Sequence, residues 1–571
     1  MFSSACRSLQ FLCSVFVALL LLCLATRLEA QSQTDHERRL KEGLDRLESR
    51  LAPVKERNQT YLQKQQASTG PELQEQPEAR CFQVKTIQVD GVTLFTPEQI
   101  NTITASYQDQ CLSLNAINQL VEALSTLYLD SGYVTSRAFV QPQNLADGQL
   151  ELVVLEGRAE QLISAENQFS QRELDFAFPA LDQRLLNIRD IEQGLENLNS
   201  LAKNSATVDL RPGQQQGGTI VAIQNQPQEF AWRGGLGIDD SGNASTGLYQ
   251  VDANLSVDNS VGINDNLYLS AATSAGSHSL PQSDSDSYAL HWSFPLDYWR
   301  FSAQTQYYKY LQMVIGNLIS FQTSGSSLNH SIRAERVLWR GQQSKWTSQL
   351  TLIRKSSKNY VEDVFLDTSS RKIYVANLGL AYQHKLSQGE ISLGLNIERS
   401  VPWFGAKTEL ASAEDDFQFT KYMFDMNYSS QFELGSQPFY WRSAASYLYS
   451  PKIILASEGM AVGSRYTVRG VNQGSLFGYK GGYIRNDLTA PVSWALTPDI
   501  QHLVSVHLDL GMTNLPDFEN FNADWLASTR LGYQMVFLGV STQIAYHRTL
   551  RVPGFMASDQ HEAIASIRFN F

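Results

Sequence analysis

The chain has 571 residues, with 45 Lys and Arg against 57 Asp and Glu for a formal charge of −12, 11% aromatic residues and 36 glycines. Such a length exceeds one ordinary domain, and the acidic balance argues against a nucleic-acid partner. A composition that is 43% hydrophobic suits either an exported soluble protein or a β-barrel whose polar lumen dilutes an apolar outer face.

Arg7 precedes an apolar run from Phe11 to Ala25, and Leu28-Glu29-Ala30 supplies the residues a signal peptidase reads. Residues 1–30 therefore read as a secretory signal, because the run is shorter than the roughly 20 apolar residues of a spanning helix. No later stretch reaches that length, so a mature chain in a membrane would cross it as strands. Cys6, Cys13 and Cys23 leave with the signal. Cys81 and Cys111 remain, and one disulfide between them is the natural inference in an oxidising compartment.

Residues 31–52 predict one amphipathic helix, with Leu40, Leu44, Leu47 and Leu51 on one face and Thr34 and Glu37 at capping-box spacing. Pro53 ends it, and the residues alone fit a solvated or self-associating helix equally well. Residues 53–80, rich in Gln, Glu and Pro, read as a flexible linker.

A small α/β unit is predicted over 81–156. Phe82, Val84, Ile87 and Val89 suggest one strand, and Pro97 opens a helix of about ten residues. Ile117, Leu120, Val121, Leu124, Leu127 and Tyr128 fall at helical spacing up to Gly132, and strands follow over Ser136–Val140 and Leu150–Leu155. Residues 157–228 repeat this order. A strand at Ala159–Ser164 leads to a helix at Gln171–Phe176 and a longer helix bearing Ile188, Ile191, Leu195, Leu198 and Leu201. Strands at Ala206–Leu210 and Thr219–Ile223 close the unit, with Arg211-Pro212-Gly213 as the turn between them.

From 229 to 571 the period becomes two. Tyr249, Val251, Ala253, Leu255 and Val257 alternate with polar residues, and Ala563, Ala565, Ile567, Phe569 and the terminal Phe571 alternate with Ile564, Ser566, Arg568 and Asn570. The segment accommodates about 16 antiparallel strands of about 9–11 spanning residues, an even number being expected. The fold is thus mostly β: a C-terminal transmembrane barrel behind two small α/β units and an N-terminal helix. A soluble all-β sandwich is the alternative reading of the same alternation. The mature segment carries no phosphate loop, serine elbow or metal-spaced His/Cys cluster, so no catalytic residue, metal or cofactor is assigned and an enzyme is not expected.

Several stretches, taken in order, resemble the two-partner secretion transporters, the family of haemolysin-activation and filamentous-haemagglutinin exporters. They include Gly132-Tyr133-Val134-Thr135-Ser136-Arg137, Leu186-Asn187-Ile188-Arg189-Asp190, Asp239-Asp240-Ser241-Gly242, and Asp258-Asn259 followed by Asn264-Asp265. Gly463-Ser464-Arg465-Tyr466-Thr467-Val468-Arg469-Gly470 is the most specific. The resemblance implies that 81–156 and 157–228 are POTRA domains in the periplasm, that 31–52 is a plug helix, and that Cys81 and Cys111 bridge the first POTRA domain. It also implies that Val468-Arg469-Gly470 tips a long extracellular loop folded into the lumen, with Arg469 paired to Asp509; Gly463 and Gly470 suit the reversal. Val471 and His507 depart from the family's usual aromatic or glycine at those positions.

The expected activity is export of one secreted partner protein, a haemolysin, adhesin or contact-dependent toxin with an N-terminal secretion domain, without nucleotide hydrolysis. Capture is expected at Ala206, Thr207, Val208, Asp209 and Leu210, by addition of a strand to a sheet edge. Ile567, Phe569 and Phe571 are expected to serve as the C-terminal signal for the barrel-assembly machinery, and outer-membrane lipid to surround the barrel. An insertase of the same superfamily is the principal alternative; it would carry a larger POTRA array. A diffusion porin would have no use for two periplasmic units.

Overall fold

The computed structural model describes residues 81–571 apart from 227–229, 241, 243–245, 276–282, 316–319, 367–370, 407–417, 472–474, 494–499, 515–523, 555 and 557–560. The signal, the helix bearing Leu40, Leu44, Leu47 and Leu51, and the linker lie outside the described residues.

The first unit comprises β1 (Cys81–Val84), β2 (Thr86–Asp90), α1 (Pro97–Thr104), β3 (Gln110–Ser113), α2 (Leu114–Asp130), β4 (Arg137–Val140) and β5 (Gln149–Leu155). Where one strand was predicted from Phe82 to Val89 there are two, in different sheets: β1 pairs with β3, while β2 runs parallel to β5. The break falls at Lys85, where the N–H groups of Lys85 and Thr86 both donate to the Gly148 carbonyl, at 2.7 and 3.2 Å. A disulfide joins Cys81 to Cys111 with Cα atoms 5.3 Å apart, tying β1 to β3. Ser113 caps α2 by accepting from the Ala116 N–H, and the helix buries Ile117, Leu120, Leu124 and Tyr128 against Leu150, Leu152 and Val154 of β5.

The second unit follows with β6 (Arg158–Ser164), α3 (Gln171–Ala177), α4 (Ile188–Asn199), β7 (Ala206–Pro212) and β8 (Gly218–Asn225), in sheet order β6-β8-β7. The reversal lies later than predicted, since Arg211 pairs with Ile220 and Pro212 with Thr219 inside the strand. Proline is tolerated there because β7 is an edge strand, whose outward positions need no donor. Leu201 falls beyond α4 yet remains buried in the turn that follows. The units are bonded to each other where the family-like stretches meet: Ile188 N–H donates to Gly132 O at 2.8 Å, and Gly157 N–H to Ser136 Oγ at 2.9 Å.

Then comes the barrel. β9 (Trp232–Asp239), β10 (Tyr249–Asp258), β11 (Asn266–Ala275), β12 (Asp284–Leu296), β13 (Trp299–Ile315), β14 (Ser320–Arg340) and β15 (Ser344–Val361) succeed one another as neighbours. Beyond the two-residue β16 (Val364–Phe365) come β17 (Arg371–Leu386), β18 (Gly389–Val401), β19 (Thr420–Leu434) and β20 (Gln437–Tyr449). A long loop carries the short β21 (Met460–Val462) and β22 (Leu476–Gly478). The wall resumes with β23 (Lys480–Val492), β24 (Gln501–Thr513), β25 (Asp524–Phe537), β26 (Val540–Arg551) and β27 (His561–Asn570), and β27 closes on β9. With β16 set aside as a hairpin arm on β15, 16 strands form the closed barrel.

Its polarity is inverted relative to a soluble protein. Along β10, Tyr249, Val251 and Leu255 are exposed while Gln250, Asp252, Ser256 and Asp258 are buried. A sandwich would bury the apolar set; only a wall with lipid outside and a polar lumen inside explains this arrangement. The chain's end completes the closure: Phe571 and Gly234 exchange backbone hydrogen bonds of 2.8 and 3.0 Å, and Ile567 and Phe569 pair with Ile238 and Leu236 on the lipid face.

Candidate functional site

The loop between β20 and β23 leaves the barrel on the side opposite the α/β units and folds back into the lumen. Its tip rests on an apolar cluster in which Val462, Val468, Val471 and Leu476 are fully buried beside Leu526. Val471, the smaller residue at the family's aromatic position, is thus packed in the cluster. Gly463 and Gly470 adopt φ of +101° and +86°, and a Cβ on Gly470 would stand 2.8 Å from His547. The Gly470 carbonyl accepts from Thr549 Oγ1 at 3.0 Å.

Beside this cluster Arg469 is 4% exposed and Asp509 1%. The Arg469 Nε and Nη2 donate to the two Asp509 oxygens at 2.7 and 2.6 Å, and its backbone N–H donates to Oδ2 at 3.0 Å. This bidentate geometry fixes direction as well as position. Two further side chains, which sequence reading did not place here, complete the clamp. Asp487 on β23 accepts from Nη2 at 2.5 Å, and His507 Nδ1 lies 3.0 Å from Nη1 and also contacts Asp487. That ring nitrogen can donate to Asp487 when protonated or accept from Arg469 when bare. Register explains the grouping: Asp487 pairs with His507 and Arg485 with Asp509 across adjacent strands. Alternation along β23, which puts Arg485 and Asp487 on one face, was the available signal.

Arg465, four residues before the tip, reaches the barrel's seam. Its Nη2 donates to the Asp240 carbonyl at 2.5 Å and approaches Asp240 Oδ1 at 3.3 Å and Glu562 Oε1 at 3.7 Å, beyond the ends of β9 and at the start of β27. Next to the loop a cavity of about 1110 Å³ opens within the lumen, lined by Gln304, Asn329, Ser357, Asn427 and Ser443 among others.

At the other mouth, three turns of the barrel dock on the second α/β unit. Asn259 and Asn264 donate to the side chain and backbone of Glu173, both at 2.7 Å, and Asp258 accepts from the Lys203 N–H at 3.1 Å. Asn197 donates to the Asp297 carbonyl at 2.8 Å, and Tyr298 to Asp190 at 2.6 Å. Glu196 is buried against Arg340 and lies 2.8 Å from Lys345. Burial alone would raise its pKa, but Lys345 and Arg340 outweigh that and hold the carboxyl down at about 2.

The expected capture residues lie along β7, which begins at this dock. Gly213 N–H donates to Gly218 O at 2.8 Å and Gln226 N–H to Ser205 O at 3.2 Å, so Thr207 and Asp209 bond to β8 while Ala206, Val208 and Leu210 turn their backbone groups outward. Asn199 takes those of Ala206, at 2.6 and 2.9 Å. Among the described residues the open edge is therefore Val208 and Leu210.

A closed lipid-facing barrel, a loop clamped in its lumen and two bonded α/β units at one mouth define a class, the outer-membrane barrels that carry periplasmic modules. Within it, residues 217–535 match the haemolysin secretion/activation protein family ShlB/FhaC/HecB, 82–157 the ShlB-type POTRA domain and 158–212 a POTRA domain. The outer membrane transporter CdiB of Escherichia coli is 31% identical over 75% of this chain and 71% of its own length. The hemolysin transporter protein ShlB of Serratia marcescens is 28% identical over 76% and 77%. The solved structure of CdiB from Escherichia coli superposes with a TM-score of 0.83 at 26% identity, covering 95% of this chain and all of that one. The chain belongs to the ShlB/FhaC/HecB family, and it is an outer-membrane transporter of the two-partner secretion type.

Proposed function

We propose that this transporter captures one exported partner protein on the second POTRA domain and passes it through the lumen beside the clamped loop. The cargo is a large exported protein with an N-terminal secretion domain, of haemolysin, adhesin or toxin type. Supporting this reading is the open edge at Val208 and Leu210, whose outward backbone groups can pair with an extended chain at the barrel mouth. Export is driven by the partner's folding outside, where burial of apolar surface makes return unfavourable.

The test is removal of the chain from cells that make the partner. The partner should accumulate in the periplasm while other barrels continue to be inserted; undiminished partner at the surface would overturn the proposal. Residues 31–52 act as the resting plug, supported by the lumen cavity and the tether of 53–80. Their deletion should raise single-channel conductance, and an unchanged value removes the plug assignment.

A further inference from the structure

The loop's rising limb carries a charge that none of its tip contacts explains. Glu458, 2% exposed, lies in the helical turn Ala456–Glu458, eleven residues before Arg469. Lys355 Nζ on β15 donates to both its oxygens at 2.8 Å, and Lys421 Nζ on β19 donates to Oε2 at 2.9 Å and to its carbonyl at 3.1 Å. Lys421 also pairs with Glu398 on β18 at 3.0 Å, and Arg371 on β17 donates to Ser457 at 3.1 Å.

We propose that Glu458 is a second anchor of the folded-in loop, a positioning residue that holds the rising limb to a separate stretch of wall, β15 to β19, from the β23 and β24 that bind Arg469. Arg469 and Arg465 both fasten to one half of the barrel, the strands from β23 round to β9. Held there alone, the loop could still pivot into the cavity. Glu458 ties it to β15 and β19, so the loop is held at a second place on the wall.

The two ends carry opposite charges and meet wall segments of opposite sign, acidic at Asp487 and Asp509, basic at Lys355 and Lys421. Reversing the loop would place like charges together, so the pairing sets direction as well as position. Withdrawal of Glu458 would leave Lys355 and Lys421 facing Glu398 alone, an uncompensated positive charge on the cavity wall. The cavity beside the loop keeps its width only while this end is fastened.

The test uses the full chain, measured by partner in the medium per folded barrel and by single-channel recording. Glu458→Gln keeps the shape and removes the charge. Export should fall at least about tenfold, with frequent conductance fluctuations, although the barrel retains wild-type heat-modifiable migration. Glu458→Asp, which keeps the charge, should recover most of the export. Arg442→Gln removes a charge from the same cavity wall and should not produce those fluctuations.

Wild-type export and steady conductance in Glu458→Gln would overturn the proposal. So would fluctuations equal to those of Arg442→Gln, which would trace the effect to pore charge. Should Glu458→Gln lower the amount of folded barrel, Lys355→Gln decides: it leaves Lys421 on Glu458 and should give a smaller loss with the same fluctuations, and their absence overturns the anchor.

Discussion

Arg469 binds two carboxylates, and this governs what its replacement should do. Arg469→Ala leaves the buried Asp509 and the half-buried Asp487 without their shared cation, at a cost of about 3 kcal/mol to the docked loop. Export should fall sharply while the barrel, held by its ladders, still assembles. Charge exchange, Arg469→Asp with Asp509→Arg, should not restore it, because the carboxylate placed at 469 would face Asp487 and the Arg469 backbone N–H would lose its acceptor. Secreted partner normalised to folded barrel measures both variants; full export by Arg469→Ala would show that the clamp is dispensable. Arg469 was legible because the glycine-flanked motif names it, and Asp509 because the family resemblance supplies its partner. Asp487, His507 and Glu458 were not, because every second residue of a lumen-facing strand is polar and the pattern does not mark which ones meet. Glu458 and its partner Lys355 lie 103 positions apart, a separation no local pattern spans.

The elements of the α/β units followed from periodicity where helices bury one stripe, as in α2, where Ile117, Leu120, Leu124 and Tyr128 of the predicted face are buried and Val121 and Leu127 partly so. Strands of four or five residues carry little period: β3 was missed between two helices, and β1 and β2 merged. In the barrel the alternation gave face and strand count but not length, since β13, β14 and β15 run 17, 21 and 18 residues and stand beyond the span a bilayer requires. At this scale β7 provides the test of capture. Val208 pairs with Ile223 without exchanging ladder hydrogen bonds, so Val208→Pro removes a donor from the open edge and leaves the bonds to β8 in place. Affinity for the partner's N-terminal domain should drop while barrel insertion is unchanged. Equal affinity of variant and wild type would refute edge capture.

Taken whole, the molecule sets an edge strand beside a pore, and the place of that strand depends on how firmly the second POTRA domain is seated. Three neighbouring turns of the barrel hold it, with Glu196, Arg340 and Lys345 as the charged centre. Because the Glu196 carboxyl is held at about 2 when docked and returns towards its ordinary value near 4.5 when released, its contribution is fully present above about 4.5 and is lost only as pH falls through about 2. The dock should therefore be unaffected between pH 8 and about 5, where a histidine-based contact would weaken. Glu196→Gln should behave differently at every pH: Arg340 and Lys345 lose their anion, and the seat weakens by roughly 3 kcal/mol. Asn197, Tyr298 and Asn259 keep their bonds, so the domain loosens without leaving. Spin labels on the second POTRA domain and on the β14–β15 turn would report this as a broadened distance distribution in Glu196→Gln and a narrow, pH-independent one in the wild type. A wild-type distribution that broadens between pH 8 and 5, or a variant as narrow as wild type, would show that the seat is held by something other than this ion cluster.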